Sequence, residues 1–164
     1  MVNCIRFLMI LSLIFISCKE DKSTSVKEIK ETTNEKNISA EEMSKQLQED
    51  GFKTFTYKEG DTTYLMQQYY MVFLKAGPNR DQDSLSLAKL QQQHMAHLER
   101  MAVEGYASLI GPFEDSSDVK GIAVYNTRTL KEADSLANLD PMVKAGRLII
   151  EVHPWWTAKG NKLN

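Results

Sequence analysis

This 164-residue chain has no cysteine after residue 18, and over its whole length it has no excess of positive charge. Its two cysteines, Cys4 and Cys18, lie close together near the N-terminus. The rest of the chain therefore has no thiol nucleophile, no disulfide and no zinc–thiolate site. The 20 Lys and Arg residues are outnumbered by 22 Asp and Glu residues, giving a net charge of −2. This balance argues against nucleic acid as a partner.

Several signatures of well-known chemistry are also absent. The sequence has no glycine-rich phosphate loop, no nucleophile elbow of a serine hydrolase and no carboxylate pair of glycosidase type. No motif requires a cofactor, and none is predicted. Histidine and its partners are left as the main candidates for chemistry.

The first seventeen residues have the features of an export signal. Arg6 precedes an apolar run at residues 7–16 that is too short to span a bilayer as a helix. The run ends at Ser17-Cys18, which resembles a bacterial lipoprotein signal, in which the cysteine becomes the first mature residue and carries the lipid. The resemblance implies lipidation of Cys18 and a place in the cell envelope, at the outer membrane of a Gram-negative bacterium. The alternatives are an ordinary secretory signal or an uncleaved anchor.

Residues 18–48 are predicted to form a flexible tether. They are mostly Lys, Glu, Ser, Thr and Asn and bury too little apolar surface to fold, apart from a helical turn or two at residues 40–48. The tripeptide Lys19-Glu20-Asp21 resembles the export signal of surface lipoproteins, which favours a surface-exposed protein; the alternative is a solvated tether alone. Residues 49–158 suffice for one domain with one core, and residues 159–164 form a polar tail.

The order of strand and helix patterns in the domain predicts an α+β fold. Strands are predicted at 64–74, 106–110, 121–125 and 147–152, and helices at 85–104 and 130–139. The resulting order, β-α-β-β-α-β, is the ferredoxin-like plan, in which two helices cover one face of an antiparallel sheet. A preceding strand at 52–57 adds an N-terminal β-hairpin. Because the other face of the sheet is bare, we expect a homodimer that packs sheet against sheet.

A histidine stands in the middle of the apolar face of the first predicted helix. At about 100° per residue, His94 falls at the centre of a face formed by Leu87, Leu90, Leu98, Met101, Ala102 and Gly105. An unsatisfied buried polar group costs about 1–3 kcal/mol, so His94 needs a partner. Asp140 is the candidate, because it stands at a helix break from which a carboxylate can point back over the sheet.

Four marks, in order, resemble the YCII (YciI-like) family over roughly residues 69–157. They are the apolar strand at 70–74, the helical His94-Met95-Ala96-His97-Leu98, the pair Gly111-Pro112, and Asp140-Pro141 with Ala145-Gly146 before a strand and Pro154-Trp155. The resemblance implies a dimeric α+β barrel and a His–Asp active site, which falls on His94 and Asp140. Family members often carry an arginine three residues before the helix histidine, where this chain has Gln91.

We therefore predict an acid–base enzyme acting on a small organic molecule. Asp140 would fix the tautomer of His94 and leave the other ring nitrogen free for proton abstraction, isomerisation or elimination, with no cofactor. The pocket is predicted to include Gln91, His97, Tyr70 and Trp155. The alternative is a non-catalytic small-ligand-binding or assembly lipoprotein in which Asp140 only caps the following turn and the pair is structural.

Two further interpretations of the sequence are a metal site and an aromatic ligand pocket. His94 and His97 lie one helical turn apart, and Asp140 or His153 would add a third ligand for a divalent ion. His-x-x-His is common by chance, so no metal is predicted. The tyrosines and tryptophans are better explained as core and dimer contacts, apart from the two assigned to the pocket.

Overall fold

The computed structural model describes residues 38–161 and residue 163, which belong to one compact unit. The predicted signal peptide, the lipidation site at Cys18 and the tether as far as residue 37 lie outside the described residues. In the described part of the chain, no helix is both long and apolar enough to cross a membrane.

The described residues form one antiparallel sheet and a set of helices. In chain order the elements are α1 (Ala40–Glu49), β1 (Thr54–Glu59), β2 (Thr62–Ala76), α2 (Ser84–Val103), β3 (Ala107–Pro112), β4 (Val119–Tyr125), α3 (Leu130–Ala137), α4 (Pro141–Lys144) and β5 (Leu148–Ala158). Across the main sheet the strand order is β5-β2-β4-β3, with β1 added beside β2. This is the ferredoxin-like arrangement, so the predicted α+β fold is confirmed.

Strand β2 carries most of the sheet's pairing. Its first half pairs with β1, and the segment Tyr70–Lys75 pairs with β4. The opposite edge pairs with β5 along the whole stretch from Met66 to Ala76. Gly60, with φ of 58°, supplies the left-handed backbone conformation in the turn between β1 and β2. The predicted N-terminal hairpin therefore consists of β1 and the first half of β2, and the second half of β2 continues into the core sheet.

The core lies between the sheet and helices α2, α3 and α4. Side chains alternate along β2, so that Tyr70, Val72 and Leu74 share the face that packs on the helices. One cluster joins Tyr70 and Val72 to Met101 of α2, and a second joins Leu74 and Leu148 to Met142. The two clusters leave room between α2 and the sheet, which is where the candidate site lies.

Helix α1 occupies residues that were expected to belong to the tether. Ser39 and Glu42 form a reciprocal capping box at its start. Further along, the Ser44 hydroxyl lies 2.8 Å from the Thr54 hydroxyl of β1, and both residues are buried. The folded part therefore includes residues 39–48. The sequence predicts a helical turn or two at residues 40–48, and the structure has a ten-residue helix there, Ala40–Glu49, that contacts the hairpin.

Two element ends differ from the expectation. Strand β5 continues past Val152 through Pro154 to Ala158; an edge strand tolerates proline because one side of its backbone has no ladder to complete. Helix α2 begins at Ser84, one residue before its predicted start, and Asp83 is its N-cap. The Asp83 carboxylate accepts hydrogen bonds from the amides of Leu85 and Ser86, both at 2.9 Å.

Candidate active site

The structure brings His94 and Asp140 into direct contact. The Nδ1 atom of His94 lies 2.6 Å from Oδ2 of Asp140. Their side chains are 12% and 2% exposed, respectively. An ionised carboxylate only accepts hydrogen bonds, so Nδ1 carries the proton in this pair. A short hydrogen bond to a buried carboxylate holds the imidazole ring in one orientation.

Asp140 is held in place by the start of helix α4. Its other carboxylate oxygen, Oδ1, accepts a hydrogen bond from the Met142 amide at 2.8 Å, which makes Asp140 the N-cap. Pro141 follows at the first helical position, where its missing N–H removes no helical bond. The two roles weighed for Asp140 therefore coexist, because one oxygen caps α4 and the other binds His94.

The ring of His94 lines a cavity of about 320 Å³ between α2 and the sheet. Gln91, Met95 and Leu98 of α2 form one wall. The remaining lining residues come from the four core strands: Leu74, Ile110, Gly111, Pro112, Lys120, Gly121, Ile122 and Leu148. A dry cavity of about 150 Å³ already accommodates benzene, so the volume suits a molecule with a single ring.

The second ring nitrogen of His94 is the reactive atom that this geometry offers. Within the described residues Nε2 makes no hydrogen bond, and it is not among the fully buried atoms. With Nδ1 protonated, the neutral ring has its lone pair on Nε2. The arrangement can therefore take up a proton at Nε2, while the carboxylate of Asp140 stabilises the resulting imidazolium.

His97 lies away from this cavity, contrary to its predicted place in the pocket. Its ring is 4% exposed and borders a separate cleft with Arg100, Pro141 and Lys144. Arg100 Nη2 lies 3.1 Å from Nδ1, whereas Nε2 is buried without a partner in the described structure. Burial lowers the pKa of His97; the Asp140 charge opposes this effect and Arg100 adds to it. His97 therefore stays neutral and is a packed core residue.

Tyr70 and Trp155 are also placed elsewhere. Tyr70 faces the helices, but it lies four residues before Leu74, about 13 Å along the strand. Its hydroxyl reaches Gln68 and the carbonyl of Arg128 instead of the cavity. Trp155 pairs with Tyr69 on the opposite face of the sheet. The alternation of Ile150 and Val152 toward the core already implies that Trp155 points away from it.

In the described part of the chain, His94, His97 and His153 do not come together as a metal site. His153 pairs with Met71, packs edge-on against the Phe73 ring and contacts Glu151 at 2.7 Å, all on the face opposite His94. Among residues 38–161, no group of three or more His, Cys, Asp and Glu side chains is placed to hold a metal ion.

Three cations near the cavity had no sequence signal. Lys120 of β4 lines it directly. A more open cleft shares Gln91, His94 and Lys120 with the cavity and adds Arg80 and Arg147. These two arginines come from loops far apart in sequence, so only the folded chain shows that they meet beside His94.

Comparison with known proteins gives a family and a fold neighbour. The model of the YCII-related domain matches residues 68–156, more than half of the chain. The chain therefore belongs to the YCII-related family. No curated protein matches it.

Among solved structures, the chain is similar to 5-chloro-2-hydroxyhydroquinone dehydrochlorinase (TftG) from Burkholderia phenoliruptrix AC1100, in complex with 2,5-dihydroxybenzoquinone. The sequence identity is 22%, and the match covers 53% of this chain and 92% of the other, with a TM-score of 0.41.

Proposed function

We propose that this protein is an enzyme that performs acid–base chemistry on a small organic molecule. The observation that carries the proposal is the 2.6 Å contact between His94 Nδ1 and Asp140 Oδ2, with the same ring lining a cavity of about 320 Å³. Membership of the YCII-related family also supports the proposal, because the resemblance to that family implies a His–Asp active site at these two residues. His94 acts as the base and Asp140 is its positioning residue.

In the proposed reaction, Nε2 of His94 removes a proton from a carbon or oxygen atom of the bound molecule. The imidazolium that forms is stabilised by Asp140. In isomerisation it returns the proton to a different atom of the molecule. In elimination the electron pair of the broken C–H bond forms a double bond, the leaving group departs with its bonding pair, and the imidazolium gives its proton to that group or to water. Apolar walls from Leu74, Ile110 and Leu148 exclude water around the reacting atom. This sequence of steps uses only the protein's own groups.

The test is exchange of carbon-bound hydrogen for deuterium in D₂O, followed by proton NMR. Cyclohexanone and an oxocyclohexane carboxylate are suitable first probes, because each has one ring and an acidic carbon beside a carbonyl. We expect His94→Gln to slow enzyme-dependent exchange by about 10²–10⁴-fold, the usual contribution of a general base. His153→Gln is the matched control, since His153 lies on the opposite face, and should leave the rate unchanged.

The second candidate is a small-ligand-binding or assembly protein in which the pair is structural. It is favoured by one observation, that Oδ1 of Asp140 caps α4. Hydrogen exchange in the Asp140→Asn variant separates the candidates, and nitrogen-15 NMR reports the tautomer of the His94 ring. In the enzyme, Asp140→Asn should move the ring proton from Nδ1 to Nε2 and abolish exchange while the protein stays folded. Equal exchange by wild type, Asp140→Asn and His94→Gln would favour the binding protein.

We also propose that the chain is a lipoprotein of the cell envelope, anchored through Cys18. The support is the sequence alone: Arg6, the apolar run at residues 7–16 and Ser17-Cys18. Mass spectrometry of the protein expressed in a Gram-negative host should show a lipid-modified Cys18 as the first residue. Cys18→Ser should prevent the modification, and protease treatment of intact cells would test surface exposure.

A further inference from the structure

The candidate active site opens toward a cluster of positive charge. The cleft of about 670 Å³ that adjoins the His94 cavity is lined by Arg80, Lys120 and Arg147. Neither the cavity nor the cleft has an Asp or Glu among its lining residues. Asp140 is 2% exposed and lies behind the histidine ring. A ligand in the cleft therefore meets cations without an intervening carboxylate.

Two glycines bring the arginines together. The chain leaves β2 at Gly77, whose amide donates to the carbonyl of Arg147 at 2.9 Å. A Cβ on Gly77 would collide with the backbone of Gly146, and one on Gly146 would collide with the side chain of Asn79. The loop after β2 and the turn before β5 are thus in backbone contact, which places Arg80 and Arg147 at the same rim.

Two of the cations donate hydrogen bonds to neutral groups, so their positive charges remain available to a ligand. Arg147 Nη1 donates to the Gln82 side chain at 2.9 Å, and Lys120 Nζ donates to the carbonyl of Ser117 at 2.5 Å. Within the described residues, no carboxylate lies within 4.0 Å of Arg80, Lys120 or Arg147. Like charges that line one cleft repel one another, and an anion in the cleft would relieve that repulsion. Hydrogen bonds from Ser117 and also the Lys120 charge lower the pKa of Asp115, which is not among the residues that line the cleft.

We propose that the substrate carries an oxyanion, a carboxylate or a phosphate, that binds Arg80, Arg147 and Lys120 at the rim. The planar guanidinium groups suit either oxyanion. The apolar body of the molecule lies in the cavity, with a reacting carbon at Nε2 of His94. This assignment rests on the proposed function and adds the class of substrate. The cations also stabilise negative charge that develops when His94 removes a proton.

The test measures binding of three single-ring probes by titration calorimetry and NMR: benzoate, phenyl phosphate and the neutral benzamide. We expect at least one anion to bind at least about tenfold more tightly than benzamide, with affinity falling as salt rises. Benzoate and phenyl phosphate distinguish the two oxyanions. The double variant Arg80→Gln/Arg147→Gln should lose about tenfold or more in anion affinity.

Lys89→Gln/Lys131→Gln is the matched control, because it removes the same charge from exposed positions on α2 and α3. It should leave anion binding unchanged. Thermal unfolding checks that each variant is folded; if loss of the Arg147–Gln82 contact unfolds the double variant, Arg80→Gln/Lys120→Gln replaces it. Equal binding of benzamide and both anions, or equal losses in control and cleft variants, would overturn the proposal.

The anion site and the acid–base function fail in different ways. If anions bind the cleft but His94→Gln does not alter exchange, the oxyanion site stands and the proposed catalysis fails. If exchange depends on His94 but the cleft variants change neither anion binding nor the KM of a carboxylated substrate, the catalysis stands and the oxyanion assignment fails.

Discussion

Asp140 is the residue on which both local structure and proposed chemistry depend. One of its oxygens accepts the Met142 amide and the other accepts His94 Nδ1. With both oxygens engaged, the buried carboxylate escapes most of the cost of leaving water. Substitutions of Asp140 should therefore distinguish its capping of α4 from its positioning of His94.

We expect Asp140→Ala to destabilise the protein more than Asp140→Asn. Alanine loses the cap, worth about 0.5–2 kcal/mol, and leaves the His94 Nδ1 proton unsatisfied, at about 1–3 kcal/mol. Asparagine keeps an oxygen for the Met142 amide and a group facing His94. Urea unfolding of both variants measures the difference. Equal destabilisation by both would show that the hydrogen bond to Met142 contributes little.

His97 should give the fold a dependence on pH. Because burial lowers its pKa, the folded ring stays neutral at a pH where the unfolded ring, near 6.5, takes up a proton. The unfolded state then binds more protons, so the free energy of unfolding falls as pH drops below about 6.5, by at most about 1.4 kcal/mol per pH unit for one proton.

The variant His97→Met should remove this contribution. As pH falls from about 7.5 to about 5.5, a range that spans the pKa of the unfolded histidine, the free energy of unfolding of His97→Met should fall less than that of wild type. Urea unfolding at the two pH values measures this, and His153→Gln is the exposed comparison. An identical pH dependence in wild type and His97→Met would contradict the assignment of His97 as a neutral core residue.

The site was predictable from the sequence only in part. The helical pattern singled out His94, and the helix break singled out Asp140, because each position leaves a polar side chain in need of a partner. The cations could not be found this way: Arg80 and Arg147 occupy polar loops, and their meeting depends on two backbones in contact. Trp155 lies on the face opposite its predicted place because β5 continues past Val152 to Ala158, and the alternation along this longer strand turns Trp155 away from the core.

At the scale of elements, the loop after β2 and the turn before β5 are in close backbone contact. Gly77 and Gly146 allow the two backbones to touch, and the short helix α4 follows directly from Asp140. The alternating patterns of β2, β4 and β5 made the sheet predictable. The sequence indicated the helical turns of α1 but not their packing on the domain, which depends on the hydrogen bonds between Ser44 and Thr54.

Gly77→Ala should disturb this contact. The added methyl group would meet backbone atoms of Gly146 and Arg147, which have no flexible end to move aside. We expect a loss of about 1–3 kcal/mol in unfolding free energy, as for other overpacked sites. Gly111→Ala is the control, because no atom lies within 4 Å of its Cβ position. Equal stability of the two variants in urea would contradict the close approach.

At the scale of the whole molecule, one face of the sheet is covered by α2, α3 and α4, and the other is largely open. On the open face, Leu109, Ile149 and Trp155 are between 36% and 45% exposed. Of the described helices, only α1 packs on this side, at the β1 end, through the contact of Ser44 with Thr54. Exposed apolar side chains on one sheet face are typical of a protein interface.

We propose that a second copy of the chain covers this face, giving a homodimer. Sedimentation equilibrium of the chain from residue 19 onward should show twice the monomer mass. Ile149→Glu should weaken the dimer by placing charge in the interface, whereas Val103→Glu, at an 81% exposed position on α2, should not. A monomer at all concentrations, or equal effects of the two variants, would contradict the proposal.

The pairing of β2 with β5 also has a consequence for folding. These strands are separated by two other strands and three helices, yet they pair along eleven positions. During synthesis one edge of β2 stays without its partner until β5 has left the ribosome. Such long-range pairing slows folding and exposes an edge to association with other chains. A chaperone that shields this edge would therefore raise the yield of native protein.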